Sequence, residues 1–227
     1  MTIKVLSAGA VKRGVAQIAK QYEAGSGTTV FVEFDTAPSL RQRLANGEAA
    51  DVLVLPPGLL DELAQHGLID DAHRGYIGRS RMGLFVKRGV ALPDISSVDA
   101  FKRAITASDA VVYNTASSGL YMEQLLERLN LHAAVKDRII KVNSGAAVMA
   151  QVAAHPGKAI GSGQLSEIRV QLDQGLAIAL AGPLPDEIQN ATPYDAAAMT
   201  KSAAAAALVA ALTSDAAKKV FAATGID

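Results

Sequence analysis

The 227-residue chain has no cysteine and no tryptophan, and aromatic residues make up only 4% of it. Without cysteine there is no disulfide and no thiolate to act as nucleophile or metal ligand; the compartment stays open, because exported proteins also fold without it. An excess of one charge sign is missing as well, since 22 Lys and Arg balance 22 Asp and Glu. That balance argues against a nucleic-acid groove or a membrane-surface patch, so any field that attracts an anion must be local. Apolar runs fall short of the roughly 18 residues that span a bilayer. Histidine is sparse: His66, His73, His132 and His155 have no i, i+4 partner. They read as capping or solvated groups, and no metal site and no cofactor is expected.

Half of the residues are hydrophobic, enough to bury a real core as one large domain or two lobes of about 100 residues each. Short strand patterns alternate with helical ones. Ile3-Lys4-Val5 precedes a helical spacing from Val11 to Gln21, and Gly25-Ser26-Gly27 ends it before a strand from Thr29 to Phe34. A short helix from Ser39 to Ala45 stops at Asn46-Gly47, and Asp51 to Leu55 reads as a buried central strand. Such alternation predicts parallel sheets with helices on their faces. Met82 to Lys87 and Pro193 to Met199 read as two strands crossing between lobes, and alanine-rich Ser202 to Leu212 as a helix packing back on the first. The expected lobes are residues 1–84 with 190–227, and 85–189.

Small-residue loops recur where strands give way to helices. They are Ser7-Ala8-Gly9-Ala10, Pro38-Ser39, Ser117-Ser118-Gly119 and Ser144-Gly145-Ala146. A helix start carries unpaired N–H groups and a partial positive charge, and a hydroxyl or glycine there leaves these donors open to an anion. Ser39 reads as the cap of its helix, above the carboxyl edge of a sheet. Gly161 to Glu167 follows the strand-like Lys158-Ala159-Ile160. It lacks both the phosphate-loop lysine and the G-x-S-x-G frame. It is expected to be a binding loop, with Gly161 and Gln164 at the ligand. Arg13 and Arg41 supply charge nearby.

Ile3 to Ala10, Ser39-Leu40-Arg41-Gln42, Asn46 to Val52 and Ser118-Gly119-Leu120-Tyr121 through Leu131 together resemble the periplasmic molybdate-binding proteins, type II solute-binding proteins of ABC transporters. The resemblance spans nearly the whole chain. It implies an α/β, periplasmic-binding-protein-like (type II) fold with two lobes, two hinge strands and an interlobe cleft. It also implies a small anionic ligand, a membrane component of an ABC transporter as partner, and a monomer. Where that family offers a serine and a tyrosine to its oxyanion, this chain has Ala10 and Gly161. Both changes remove hydroxyl donors and are expected to enlarge the cleft, which suits an organic polycarboxylate.

Gln164 to Ile168 and Gly182 to Gln189 are similar to a divergent branch that includes bacterial aconitate isomerase. The alternative to a binding protein is therefore an isomerase of an unsaturated carboxylic acid, which needs a proton-transfer group. Glu167, Glu33, Asp35 and His155 have the residue type of a base, and spacing selects none of them. Arg13, Arg41 or Arg81 would clamp carboxylates in either reading. Strand character begins right at the amino terminus. The protein is expected to be periplasmic if a leader has been removed and cytoplasmic if the chain is complete.

Overall fold

A computed structural model describes residues 2–227; Met1, on which the expected first lobe opens, and the side chain of Asp71 lie outside the described residues. The chain divides into two compact units, one running through Ser80 and resuming at Thr192–Asp227, the other Arg81–Ala191. The first contains β1 (Thr2–Ala8), α1 (Lys12–Ser26), β2 (Thr29–Asp35), α2 (Ala37–Ala45), β3 (Val52–Leu55) and α3 (Pro57–Gln65). β4 (Asp70–Lys87) begins in this unit and ends in the second. There follow α4 (Val98–Ala107), β5 (Ala110–Asn114), α5 (Ser117–Arg128), α6 (His132–Val135) and β6 (Ile139–Val142). The second unit is completed by α7 (Gly145–Ala154), β7 (Ala159–Gln164), α8 (Leu165–Asp173) and β8 (Ile178–Pro183). The chain returns through β9 (Ala191–Ala198) and closes with α9 (Ala203–Leu212) and α10 (Asp215–Ala223).

The crossings lie a few residues from the expected 84/85 and 189/190. The first falls inside β4, an 18-residue strand with no break in secondary structure at the boundary. Its stretch before the boundary carries Asp70, His73, Arg74 and Arg79. Polar side chains in that number hide a strand from a hydrophobicity reading, and only Met82 to Lys87 was legible.

In the first unit β1 pairs in parallel with β2 and β3, and β3 pairs antiparallel with β9. In β3, alternation sends Val52 and Val54 into a cluster with Ile3, Val5, Val15, Ile18, Leu208 and Phe221, while Leu53 and Leu55 join Leu6, Leu40, Leu44 and Leu60. A strand buried on both faces needs a continuous apolar run, as its four-residue Val-Leu-Val-Leu sequence supplies.

In the second unit β5 pairs in parallel with β6 and β7, and the end of β4 runs antiparallel between β7 and β8. Val111, Tyr113, Ile160, Met82 and Leu84 pack with Phe101, Met122 and Leu125. Val112, Ala159 and Phe85 pack on the other face with Val148, Val152 and Ile168.

Candidate functional sites

Parallel pairing decides where the helix starts lie. In the first unit β1, β2 and β3 share one direction, so the segments leaving them all emerge at one carboxyl edge: Gly9–Val11 before α1, Thr36 before α2 and Pro56 before α3. The second unit repeats the arrangement, with Ala116 before α5, Ser144 before α7 and Gln164 before α8. Carboxyl edges of open α/β sheets are where such folds take ligands, because helix amides converge there.

At this edge of the first unit, the expected donors are engaged by the protein. Ser7 lies within β1, fully buried, and its hydroxyl donates to the Ala8 carbonyl at 3.2 Å. Ala8 is buried with it, while Gly9 and Ala10 form a short 3-10 turn, Gly9 being exposed. Ser39 does not cap its helix. The helix starts two residues earlier, at Ala37, with Thr36 as cap, whose hydroxyl accepts the Ser39 amide at 3.3 Å. Pro38 then sits in the first turn, where its missing N–H costs nothing. The Ser39 hydroxyl donates to Asp35 Oδ2 at 2.5 Å, and Asp35 Oδ1 accepts the Thr36 amide at 2.7 Å. These bonds hold the Asp35 carboxyl below its usual range. A built-in carboxylate thus occupies the start of α2.

The arginines are similarly placed. Arg41 is exposed and paired with Glu62 at 2.8 Å, and Arg81 pairs with Asp186 at 3.2 Å. Arg13 is exposed in the first turn of α1. Two of the candidate bases are also tied up. Glu33 pairs with Arg43 at 2.6 Å and Lys4 at 3.3 Å, and His155 Nδ1 accepts the Gly157 amide at 3.1 Å inside a turn.

The second unit is more open at its edge. Asn114, at the end of β5, caps α5: its Oδ1 accepts the amides of Ala116 at 3.0 Å and Gly119 at 3.1 Å. Its Nδ2 donates to the Ser118 hydroxyl at 3.1 Å, which turns Ser118 inward, whereas Ser117 is exposed. Residue 119 must be glycine, because a β-carbon there would collide with the Asn114 carbonyl oxygen. Ser144 caps α7 as its position suggests, accepting the Ala147 amide at 3.2 Å, and Ala146 is exposed beside it.

Gly161 is a correction. It lies mid-strand in β7, paired with Phe85, and the Phe85 ring fills the space a side chain there would need. Its smallness accommodates core packing and opens no ligand space. No loop separates β7 from α8; Gln164 ends the strand and precedes the helix directly. Gln164 is 8% exposed and its Oε1 has no hydrogen-bond partner. The Ser162 hydroxyl, two residues back on the same strand face, is also buried and unpartnered, as is the Tyr113 hydroxyl on β5. Burial pushes the Tyr113 hydroxyl up to about 12.

Three residues into α8 stands Glu167. Its carboxyl leans over the first residue of α7, so that a β-carbon on Gly145 would collide with Glu167 Oε2. Burial pushes this carboxyl above the usual range. Residue type alone had placed Glu167 among four equivalent acids and bases; only the contact between two helix starts separates it. Among the described residues no group of three His, Asp or Glu side chains forms a metal site. No helix among them is long and apolar enough to cross a membrane.

The sequence matches, over residues 3–227, the model of a family described as bacterial extracellular solute-binding protein. It is 32% identical to an aconitate isomerase of Pseudomonas sp., over 96% of this chain and 85% of that protein. Among solved structures it is similar to a substrate-binding domain assigned to a molybdenum ABC transporter of Clostridium difficile. That match has a TM-score of 0.79 at 18% identity and covers 99% of this chain and 97% of the other. The periplasmic molybdate-binding protein of Azotobacter vinelandii matches with a TM-score of 0.74 at 19% identity, covering 99% and 98%. These likenesses establish a type II periplasmic-binding-protein fold.

Proposed function

The chain belongs to the bacterial extracellular solute-binding protein family, and we propose that its ligand is a small organic polycarboxylate, delivered to the membrane component of an ABC transporter. The observation that carries this reading is the gathering of helix starts at one sheet edge in each unit. Backbone amides and a favourable dipole suit an anion there. The binding residues proposed lie at these edges: Gly9 and Ala10 with Arg13 in the first unit, and Ser117, Ser144, Gly145, Ala146 and the buried, unpartnered Gln164 in the second. Two features favour a carboxylate over a compact oxyanion. Ser7, Ser39 and Ser118, the hydroxyls that would serve an oxyanion, each donate to a protein oxygen, Ser118 to Asn114 Oδ1 at 3.4 Å. The relative at 32% identity is named for a tricarboxylate. A periplasmic location follows from the same reading.

Calorimetry with molybdate, tungstate, sulfate, citrate and cis- and trans-aconitate tests it. One-to-one saturable binding of a carboxylate, with no heat from the three inorganic anions, is expected. Tight molybdate binding together with silence toward every carboxylate would reject the proposal.

A second reading has a specific observation behind it. The 32% identity to an isomerase extends over nearly the whole chain, and Glu167 supplies the kind of group such chemistry requires. On that reading the same site shifts the double bond of the bound acid.

A further inference from the structure

Glu167 differs from the other carboxylates near these edges. Asp35, Glu33, Glu48 and Glu62 each hold a hydroxyl or a cation. Glu167, among the described residues, makes no ion pair, and burial is what moves its carboxyl upward. An acid at the third position of a helix commonly reaches back to close a capping box. Here it instead extends across to the Gly145 turn of α7, over the residue that has no side chain to block it. Three residues earlier the Gln164 Oε1 is buried without a partner, and so is the Ser162 hydroxyl two residues before it on β7. A buried polar group left unmatched calls for an explanation, and two at one strand-to-helix junction point to a polar ligand that completes them.

We propose that Glu167 is the proton carrier for a bound unsaturated polycarboxylate. This rests on the isomerase reading above. The ionised carboxylate takes a proton from the methylene carbon next to a ligand carboxylate, breaking one C–H bond. The freed electron pair forms a new C=C bond to the central carbon, and the old double-bond pair moves to the far carbon. That carbon takes the proton back from the Glu167 acid. One C–H bond breaks and one forms, the double bond moves by one position, and nothing is oxidised or reduced. A base whose acidity lies closer to ambient pH than an ordinary carboxylate suits a proton that must be both taken and returned.

The test is proton NMR of the full chain with cis-aconitate in deuterium oxide, with calorimetry on trans-aconitate in parallel. The wild type is expected to form the trans isomer with deuterium at the methylene carbon. Glu167→Gln keeps the size of the side chain. It is expected to bind trans-aconitate within about threefold of the wild type and to lose exchange by at least about 100-fold. Glu167→Asp, with the carboxyl drawn back by one carbon, is expected to recover part of that exchange. Undiminished exchange in a folded Glu167→Gln would overturn the assignment and leave the isomerase reading standing. Wild-type protein that binds the ligand but neither exchanges nor isomerises it would overturn both and leave the transport reading.

Discussion

At the scale of single residues, the clearest lesson is how often a promising polar side chain serves the protein itself. Ser39 and Ser118 look like ligand hydroxyls in a serine-rich loop, yet each is bound to an acid or amide one turn away. Gly145 is the contrasting case, small because Glu167 lies over it. Gly145→Ala would push aside the flexible end of that side chain and leave the backbone in place. Stability by chemical denaturation is therefore expected to change by less than about 1 kcal/mol, while isomerisation falls as it does in Glu167→Gln. A stability loss well above that figure would mean that Glu167 is locked in place. Tyr113 offers an independent check on burial. Its hydroxyl is buried without a partner, and removing such a group removes a desolvation cost. Tyr113→Phe is expected to leave the denaturation midpoint unchanged or to raise stability by up to about 1 kcal/mol.

At the scale of elements, helix starts decide most of what the site can do. Four helices are capped by side chains three residues ahead of the amide they accept: Thr36 for α2, Ser97 for α4, Ser144 for α7 and Ser214 for α10. Thr36→Ala is expected to cost about 1 kcal/mol in equilibrium unfolding, whereas Ser39→Ala, which leaves the cap intact, should cost less. A charge cluster ties β1, β2 and α2 together. Arg43 contacts Glu48 and Glu33 at 2.6 Å, and Lys4 contacts Glu48 at 2.8 Å. Arg43 first, then Lys4, brings the Glu48 carboxyl down to about 2 from its ordinary 4.5. A carboxyl lowered in the folded state stabilises above its unfolded value and stops doing so as pH falls through its folded one. The melting-temperature difference between wild type and Glu48→Gln is therefore expected to be full at pH 6, to shrink below about 4.5 and to vanish near 2. A difference independent of pH would show that the cluster contributes no linked charge. The cluster is solvated, so high salt should reduce the same difference.

At the scale of the whole molecule, family membership across residues 3–227 gives the chain one binding assignment to test. A ligand that binds only the folded state stabilises it by about 2.7 kcal/mol at a hundred times its dissociation constant. Thermal melts with the carboxylates of the calorimetry panel are expected to rise with concentration, while sulfate leaves them unmoved. The two edges are to be probed one at a time. Ala146→Glu, at an exposed position in the first turn of α7, sets a fixed negative charge at that helix start. It is expected to weaken ligand binding at least tenfold with little change in the ligand-free melting temperature. Gly9→Asp asks the same of the first unit, where a β-carbon has room at 3.7 Å from the Asp35 carbonyl. If neither charge affects binding, the ligand lies elsewhere.

Much of this protein was determined locally and could be read without coordinates. The continuous apolar run of β3, the strand–helix alternation and the serine at Ser144 each follow from short-range chemistry: burial on both faces, period and capping. The small-residue motifs were enough to indicate the family and its fold. What only the tertiary structure decided was the state of each side chain. A hydroxyl can donate once, and whether Ser39 gives that bond to a ligand or to Asp35 depends on a partner brought in by the turn of the backbone. Gly161 was legible as small, but not that the Phe85 ring from a neighbouring antiparallel strand fills the space. Glu167 was one acid among several until α8 brought it over the first residue of α7, 22 positions away in the chain. Local sequence sets propensity and caps over a few residues; partners at long range are chosen by packing, and that choice separates a solvated carboxylate from one lodged against a neighbouring helix start.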